Sequence, residues 1–316
     1  MSSRLARRLA GLLVTLLAAS FLIFGAMYAA PGDPAVVLVG GPENLTEENL
    51  RIVREQYNLD EPFLVQYGLW FGDILGGDLG RSFVYGDQVL DLLASRLSTT
   101  LALVGFATLL LGLLAVPLGV LSALRRGTVD SAVLVATTLA ASVPGFVAGV
   151  VLIAVFAVGL GWFPVSGGGE GVLSTVHHLT LPAFALAVSA LAVITRVTRQ
   201  TTAEALERDH VEAARYRGIP ERQVVRRHVL RNSIGPVLTM SGIVVASMLA
   251  GTVVVETVFG LSGIGSLLVD AINTSDFPVT QAVLLFMVLA YVAVTALTDG
   301  LHRLVDPRLR ERGVEV

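Results

Sequence analysis

From Glu204 to Gly218 the chain reads Glu-Ala-Leu-Glu-Arg-Asp-His-Val-Glu-Ala-Ala-Arg-Tyr-Arg-Gly, then runs through Arg222, Arg226, Arg227, His228 and Arg231 to Pro236. This arginine-rich island, residues 201–236, stands between two long apolar runs. Its charges interleave with few apolar residues, so it reads as a soluble helical hairpin held between two spans. A short helix containing Glu212 to Tyr216 exposes one face, and Gly218 supplies the backbone freedom for a sharp turn after it.

The sequence around the island is built for lipid. Of 316 residues, 54% are apolar and 15% charged, and the mean hydropathy is +0.74. The apolar residues come in long runs instead of helical stripes, which implies an all-α, polytopic membrane protein. The chain contains arginine but no lysine, and no cysteine. A Walker A phosphate loop needs a lysine, so that nucleotide site is excluded, as are Schiff-base and thiol chemistry. The net charge of −3 says little, because the charges are sorted by side.

Six spans are expected, near Leu9–Ala30, Leu97–Ala123, Ser131–Leu160, Leu179–Arg199, Pro236–Val258 and Val279–His302. The first reaches roughly 33 Å at 1.5 Å per residue, enough for a hydrocarbon core of about 30 Å. A signal peptide is the rival reading there, given Arg4, Arg7 and Arg8, but the apolar run exceeds the ~7–15 residues of such a leader. Arginine then sets orientation. With both ends in the cytosol, that side holds Arg4, Arg7, Arg8, Arg125, Arg126, the arginines from Arg196 to Arg231, Arg303, Arg308, Arg310 and Arg312. The outer side holds only Arg51, Arg54, Arg81 and Arg96, so the island is expected inside.

The outer segment 31–96 is too long for a simple connector. Residues 46–57 carry a threonine at the cap position, acids in the first turn and apolar residues at helical spacing, which predicts a short helix. Phe63 to Leu75 is a second amphipathic piece, with Tyr67 and Trp70 suited to the membrane interface. The chain divides into an N-terminal span with this outer segment (1–96), a transmembrane domain (97–303) and a tail (304–316).

At this point the residues carry a resemblance. Pro31-Gly-Asp-Pro34, Tyr57-Asn-Leu-Asp60-Glu-Pro62 with Gln66-Tyr67, and Gly77-Asp78-Leu-Gly80-Arg-Ser82 resemble the outer segment of permeases of the dipeptide/oligopeptide/nickel class of ABC importers. Ser142-Val-Pro144-Gly-Phe146 with Gly149, Leu181-Pro182-Ala183, Val255-Glu256-Thr-Val-Phe259 with Gly263 and Gly265, and Asp306-Pro307-Arg308 resemble the membrane core of that class. Glu212-Ala213-Ala214 followed by Gly218 is similar to the EAA loop of binding-protein-dependent importers. One departure stands out: the broad pattern ends in Ile-x-Leu-Pro, whereas here His228-Val-Leu230-Arg231-Asn232 delays the proline to Pro236, a variant resembling the peptide subclass.

The resemblance implies a six-helix type I importer permease in the bacterial cytoplasmic (inner) membrane. It implies a second homologous permease beside it, two cytosolic ABC ATPases that hold ATP and Mg2+, and an extracytoplasmic binding protein. No cofactor in this chain and no nucleic-acid partner are expected. Di- or oligopeptides are the implied substrates, with nickel, glutathione or another small solute as alternatives. Glu212, Ala213, Ala214, Arg215, Tyr216 and Gly218 would then couple to an ATPase. The bland alternative is that the arginines only anchor the loop to anionic headgroups.

Within the spans, Ser142, Pro144, Pro182 and Glu256 are candidates for the translocation path or its gate. Both prolines remove helical hydrogen bonds and are expected to bend their spans. Glu256 is too costly to leave in lipid, so it faces protein or water; gate residue and structural partner to a helix end stand as equal readings. Asp270 and Asp276 are candidate contacts for a docked binding protein, against the reading as solvated loop acids. Leu261-Ser-Gly-Ile-Gly265 lacks the rest of an ATPase signature and reads as a helix start. Gly167–Gly171 reads as a flexible turn, and His177-His178 as an interfacial pair rather than a metal site. An intramembrane enzyme built on Ser189, Ser247 and the histidines lacks the Gly-x-Ser-x-Gly and His-Glu-x-x-His settings. A secondary carrier would place ionisable groups near mid-span, where this chain has almost none.

Overall fold

A computed structural model describes residues 2–29, 35–36, 46–56 and 58–305. Pro31–Pro34, Tyr57, Asp306-Pro307-Arg308 and nearly all of the tail lie outside the described residues. The described chain is helical and forms two compact units, one of residues 1–98 and 263–290, the other of residues 99–262 and 291–316.

The first unit holds α1 (Ser2–Tyr28), α2 (Glu47–Gln56), α3 (Phe63–Leu75), the start of α4 (Val89–Leu124), α11 (Ile264–Asn273) and the start of α12 (Phe277–Val305). The two short helices α2 and α3 fall where the sequence puts them. In α2, Glu47 and Glu48 sit in the first turn and Arg54 in the last, matching the helix dipole. Helix α3 leans on α1 through ring edges: Phe21, Phe24 and Tyr28 meet Phe63 and Tyr67 at centroid distances of 5.0–5.7 Å. Ser20 Oγ and Tyr67 Oη share a hydrogen bond of 2.9 Å. The other side of α3 stays apolar and bare, with Leu64 and Leu75 69% and 74% exposed, the form expected of a helix lying in an interface.

The second unit takes up the rest of α4 and α12 with α5 (Thr128–Ala141), α6 (Gly145–Leu152), α7 (Val172–Leu206), α8 (Asp209–Tyr216), α9 (Glu221–Val224) and α10 (Leu230–Phe259). Helix α6 runs on as π-helix through Ile153–Gly159, and a π segment Val225–Val229 joins α9 to α10. Helix α7 is the centre: 61% of its apolar window is buried, against 11% in α1. Small residues set the approach distances. A Cβ on Gly119 would lie 2.6 Å from Thr198 Cβ of α7, and one on Gly242 of α10 would collide with Thr298 of α12.

Among the described residues five helices are long and apolar enough to cross a membrane, and α5 with α6, bent by 95° between them, gives a sixth when the pair is counted as one span. The bend falls at Ser142–Pro144. Pro144 has no N–H to give and bars Val143 from helical backbone, so α5 ends at Ala141 and Pro144 starts the next helix with extended ψ of 142°. The expected bend at Pro182 does not end its helix, since α7 runs through it to Leu206. Leu181, Pro182, Ala183 and Ala185 are all buried, and that packing holds the helix across the missing hydrogen bond.

Candidate functional site

The loop between α7 and α10 folds on its own small core. Val211 and Ala214, three residues apart on α8, turn inward to Ala205, Val224 and Val229, and Leu206 and Ile219 pack against the cluster. Asp209 and Glu212 occupy the first turn of α8 and Arg215 the last, again matching the dipole.

The helix stops in a Schellman motif. Gly218 N–H donates to Arg215 O at 2.9 Å and Ile219 N–H to Ala214 O at 3.3 Å, while Gly218 takes φ +73°. A Cβ there would meet nothing within 4 Å, so the glycine is required by its backbone angle alone. Ile219 then adds the apolar contact that accompanies the motif, and Pro220 begins α9. Arg215 closes the turn with a two-pronged pair to Glu221 at 2.7 and 3.1 Å. That hydrogen bonding holds the Glu221 carboxyl below its usual range and raises the Arg215 guanidinium.

With one face buried, the opposite face is on offer. Glu212, Ala213, Arg215, Tyr216 and Gly218 are exposed, Tyr216 at 82%. Tyr216 Oη donates to Glu212 Oε1 at 2.9 Å, and this bond raises the phenol's pKa. A shallow cleft of about 300 Å³ runs beside them, lined by Leu206, Glu207, Glu212, Arg215 and Tyr216. Ala214, expected among the coupling residues, is 4% exposed and belongs to the loop's core.

Three contacts tie the loop and the span ends beside it together, and none of them involves an expected site residue. Arg199 of α7 donates through Nε and Nη2 to both oxygens of Asp130 of α5 at 2.5 Å, and Ser122 of α4 donates to the same carboxylate. Three helices thus meet at one acid that is 13% exposed. Beside it, Arg126 reaches Glu207 at the α7–α8 junction at 2.6 Å, and His210 Nε2 lies 3.1 Å from Asn232 Nδ2. An acid opening one apolar run and an arginine closing another is the signal from which the clamp was readable.

The remaining candidates disperse. Glu256 is fully buried and accepts from Thr100 Oγ1 at 2.7 Å, joining α10 to α4 in the manner of a structural partner. Ser142 and Pro144 lie exposed at the break, Ser142 Oγ bonding back to Thr138 O, whereas Pro182 is buried. Gly149 explains its place in the motif: a Cβ there would press on Phe259 and Val258 at 3.1 and 3.2 Å.

Asp276 is a second correction. It is fully buried in the first unit, where it accepts from Ser82 Oγ at 2.5 Å and Phe83 N–H at 3.2 Å, so it is no surface contact. Asp270 is exposed on α11. His177 Nε2 and His178 Nδ1 each lie 2.8 Å from a backbone carbonyl, and the described residues contain no metal-holding cluster of His and acids.

An eight-residue helix with a packed inner face, a glycine stop and bare Glu-Ala outward, set between spans, is the arrangement that the EAA resemblance implies. The family model for the inner membrane component of binding-protein-dependent transport systems matches residues 115–311, and that for the N-terminal part of such membrane components matches residues 1–104. The chain belongs to this permease family. It is 36% identical to the oligopeptide transport system permease AppB of Bacillus subtilis, over 98% of this chain and 99% of the relative. It is 36% identical to the dipeptide permease DppB of Lactococcus lactis, over 96% and 98%. The glutathione permease GsiC of Escherichia coli is 35% identical over 96% and 97%.

The solved inward-facing MetNI methionine ABC transporter shares the fold, with a TM-score of 0.58 at 19% identity over 69% of this chain and 97% of that one. The permease is a multi-pass membrane component of a transport system, and membership implies working with a substrate-binding protein and ATPase subunits.

Proposed function

We propose that this permease forms half of the path by which di- or oligopeptides enter a bacterial cell. A second, homologous permease forms the other half. The observation that carries the reading is the outer face of α8, where Tyr216 stands 82% exposed beside Glu212 and Ala213 on a helix fixed from behind. That face docks on one of two cytosolic ABC ATPases, which hold ATP and Mg2+; this chain holds neither and performs no covalent chemistry. ATP-driven closure of the ATPases pushes α8. The clamp of Ser122, Asp130 and Arg199 carries the push into three spans at once. Both termini lie in the cytosol, in the inner membrane, and Asp270 serves the face on which the extracytoplasmic binding protein docks.

The peptide assignment is supported by full-length similarity to permeases named for oligopeptides and dipeptides. Similarity to a glutathione permease favours a second reading, in which that tripeptide thiol is the cargo. Deleting the chain should abolish growth of an auxotroph on short peptides as its amino-acid source. Intact peptide uptake with lost glutathione uptake would move the assignment to the second reading.

A further inference from the structure

The first unit contains a cavity of about 330 Å³ that the transport reading does not use. Its walls are Phe24 and Tyr28 of α1, Leu69, Trp70 and Asp73 of α3, the turn around Asp78 and Arg81, and Gln281 of α12. Gln281 is only 9% exposed, lines this space, and its side-chain amide has no hydrogen-bond partner among the described residues. Its amide N and O are not among the sealed polar atoms of the structure; they open into this space, where a ligand can reach both the donor and the acceptor.

The wall chemistry specifies the ligand. Two carboxylates, Asp73 and Asp78, outnumber one arginine, and Arg81 already spends Nη2 on Gly86 O at 2.8 Å. Phe24 and Trp70 lie side by side with centroids 5.2 Å apart, offering ring faces. Carboxylate plus aromatic face is the environment that binds an ammonium group, and the remaining N–H groups of Arg81 suit a phosphate. A ligand with both charges fits better than a simple anion. Leu69 both lines the cavity and is 47% exposed on a helix whose bare apolar residues mark the bilayer interface, so the space borders lipid.

We infer that this cavity is a binding site for the zwitterionic headgroup of an aminophospholipid, phosphatidylethanolamine being the representative. The ammonium sits against Asp73, Asp78 and the ring faces, the Gln281 amide bonds the headgroup, and Arg81 meets the phosphate. The inference does not depend on the identity of the cargo.

The test is native mass spectrometry of the full-length chain in mild detergent, with its co-purifying subunits, offered equal amounts of phosphatidylethanolamine and phosphatidylglycerol of matched acyl chains. The expected result is about ten-fold preferential retention of phosphatidylethanolamine. Asp73→Asn and Gln281→Leu should each reduce that preference several-fold; Asp73 is exposed, so its variant folds even where the other does not. As a second readout, Trp70 emission in a Trp162→Phe background should shift on titration with phosphatidylethanolamine. Equal retention of the two lipids, a preference untouched by either variant, or displacement of the lipid by a short peptide would each overturn the assignment.

Discussion

Gly218 shows how narrow a requirement one residue meets. With φ at +73° and open space around it, a substitution is judged on backbone alone. Gly218→Ala should destabilise the loop by about 1–2 kcal/mol, and Gly218→Asn by less, because asparagine tolerates the left-handed region. Tryptic cleavage at Arg217 and Arg222 should accelerate several-fold for alanine and stay near parental for asparagine; equal rates would remove the backbone explanation. Much of this site was legible because the turn is local. Which of Glu212, Ala213 and Ala214 face outward follows from the helical period of 3.6, which sends Ala214 inward with Val211. Asp276 was not legible, since its partner Ser82 lies 194 residues away and nothing in a string of loop acids announces burial.

At the scale of elements, the Asp130 clamp carries the account. Its charged hydrogen bonds are partly shielded, so Asp130→Asn should cost about 1.5–3 kcal/mol in thermal unfolding of the purified chain. Glu207→Gln, which breaks a pair exposed by about two thirds on each side, should cost under about 1 kcal/mol. Reversed magnitudes would mean the clamp is not what joins α4, α5 and α7.

The Arg215–Glu221 pair adds a pH dependence. Glu221 is depressed below 4.5 in the folded loop, so its support is complete above that value and is lost as pH falls through the lower folded value. Hydrogen exchange at Gly218 and Ile219 should be insensitive to the pair between pH 6 and 8 and lose its protection only below about pH 4.5. The two prolines show where element reading ends. Pro144 and Pro182 carry the same local signal, yet only the first breaks its helix, because the buried neighbours of Pro182 decide the second by packing.

For the whole molecule, span number and class were written in the long apolar runs, while the helix lengths were not. Helix α7 extends past the expected Leu179–Arg199 at both ends, because polar turns at its termini continue helical hydrogen bonding beyond the apolar stretch. Orientation rests on arginine and is directly testable in a chain without cysteine. A cysteine at Gly168, where a Cβ has open space, should react with an impermeant thiol reagent from outside, and one at exposed Arg222 only after permeabilisation.

The central claim is that force enters through the outer face of α8. It is tested most directly by substrate-stimulated ATP hydrolysis and uptake in proteoliposomes containing the Tyr216→Ala variant at parental abundance. Because Tyr216 is 82% exposed, the variant should insert and fold normally. Loss of an interface anchor worth about 2 kcal/mol should cut both activities roughly 30-fold. Parental hydrolysis and uptake would contradict the account and leave the loop as an anchor only.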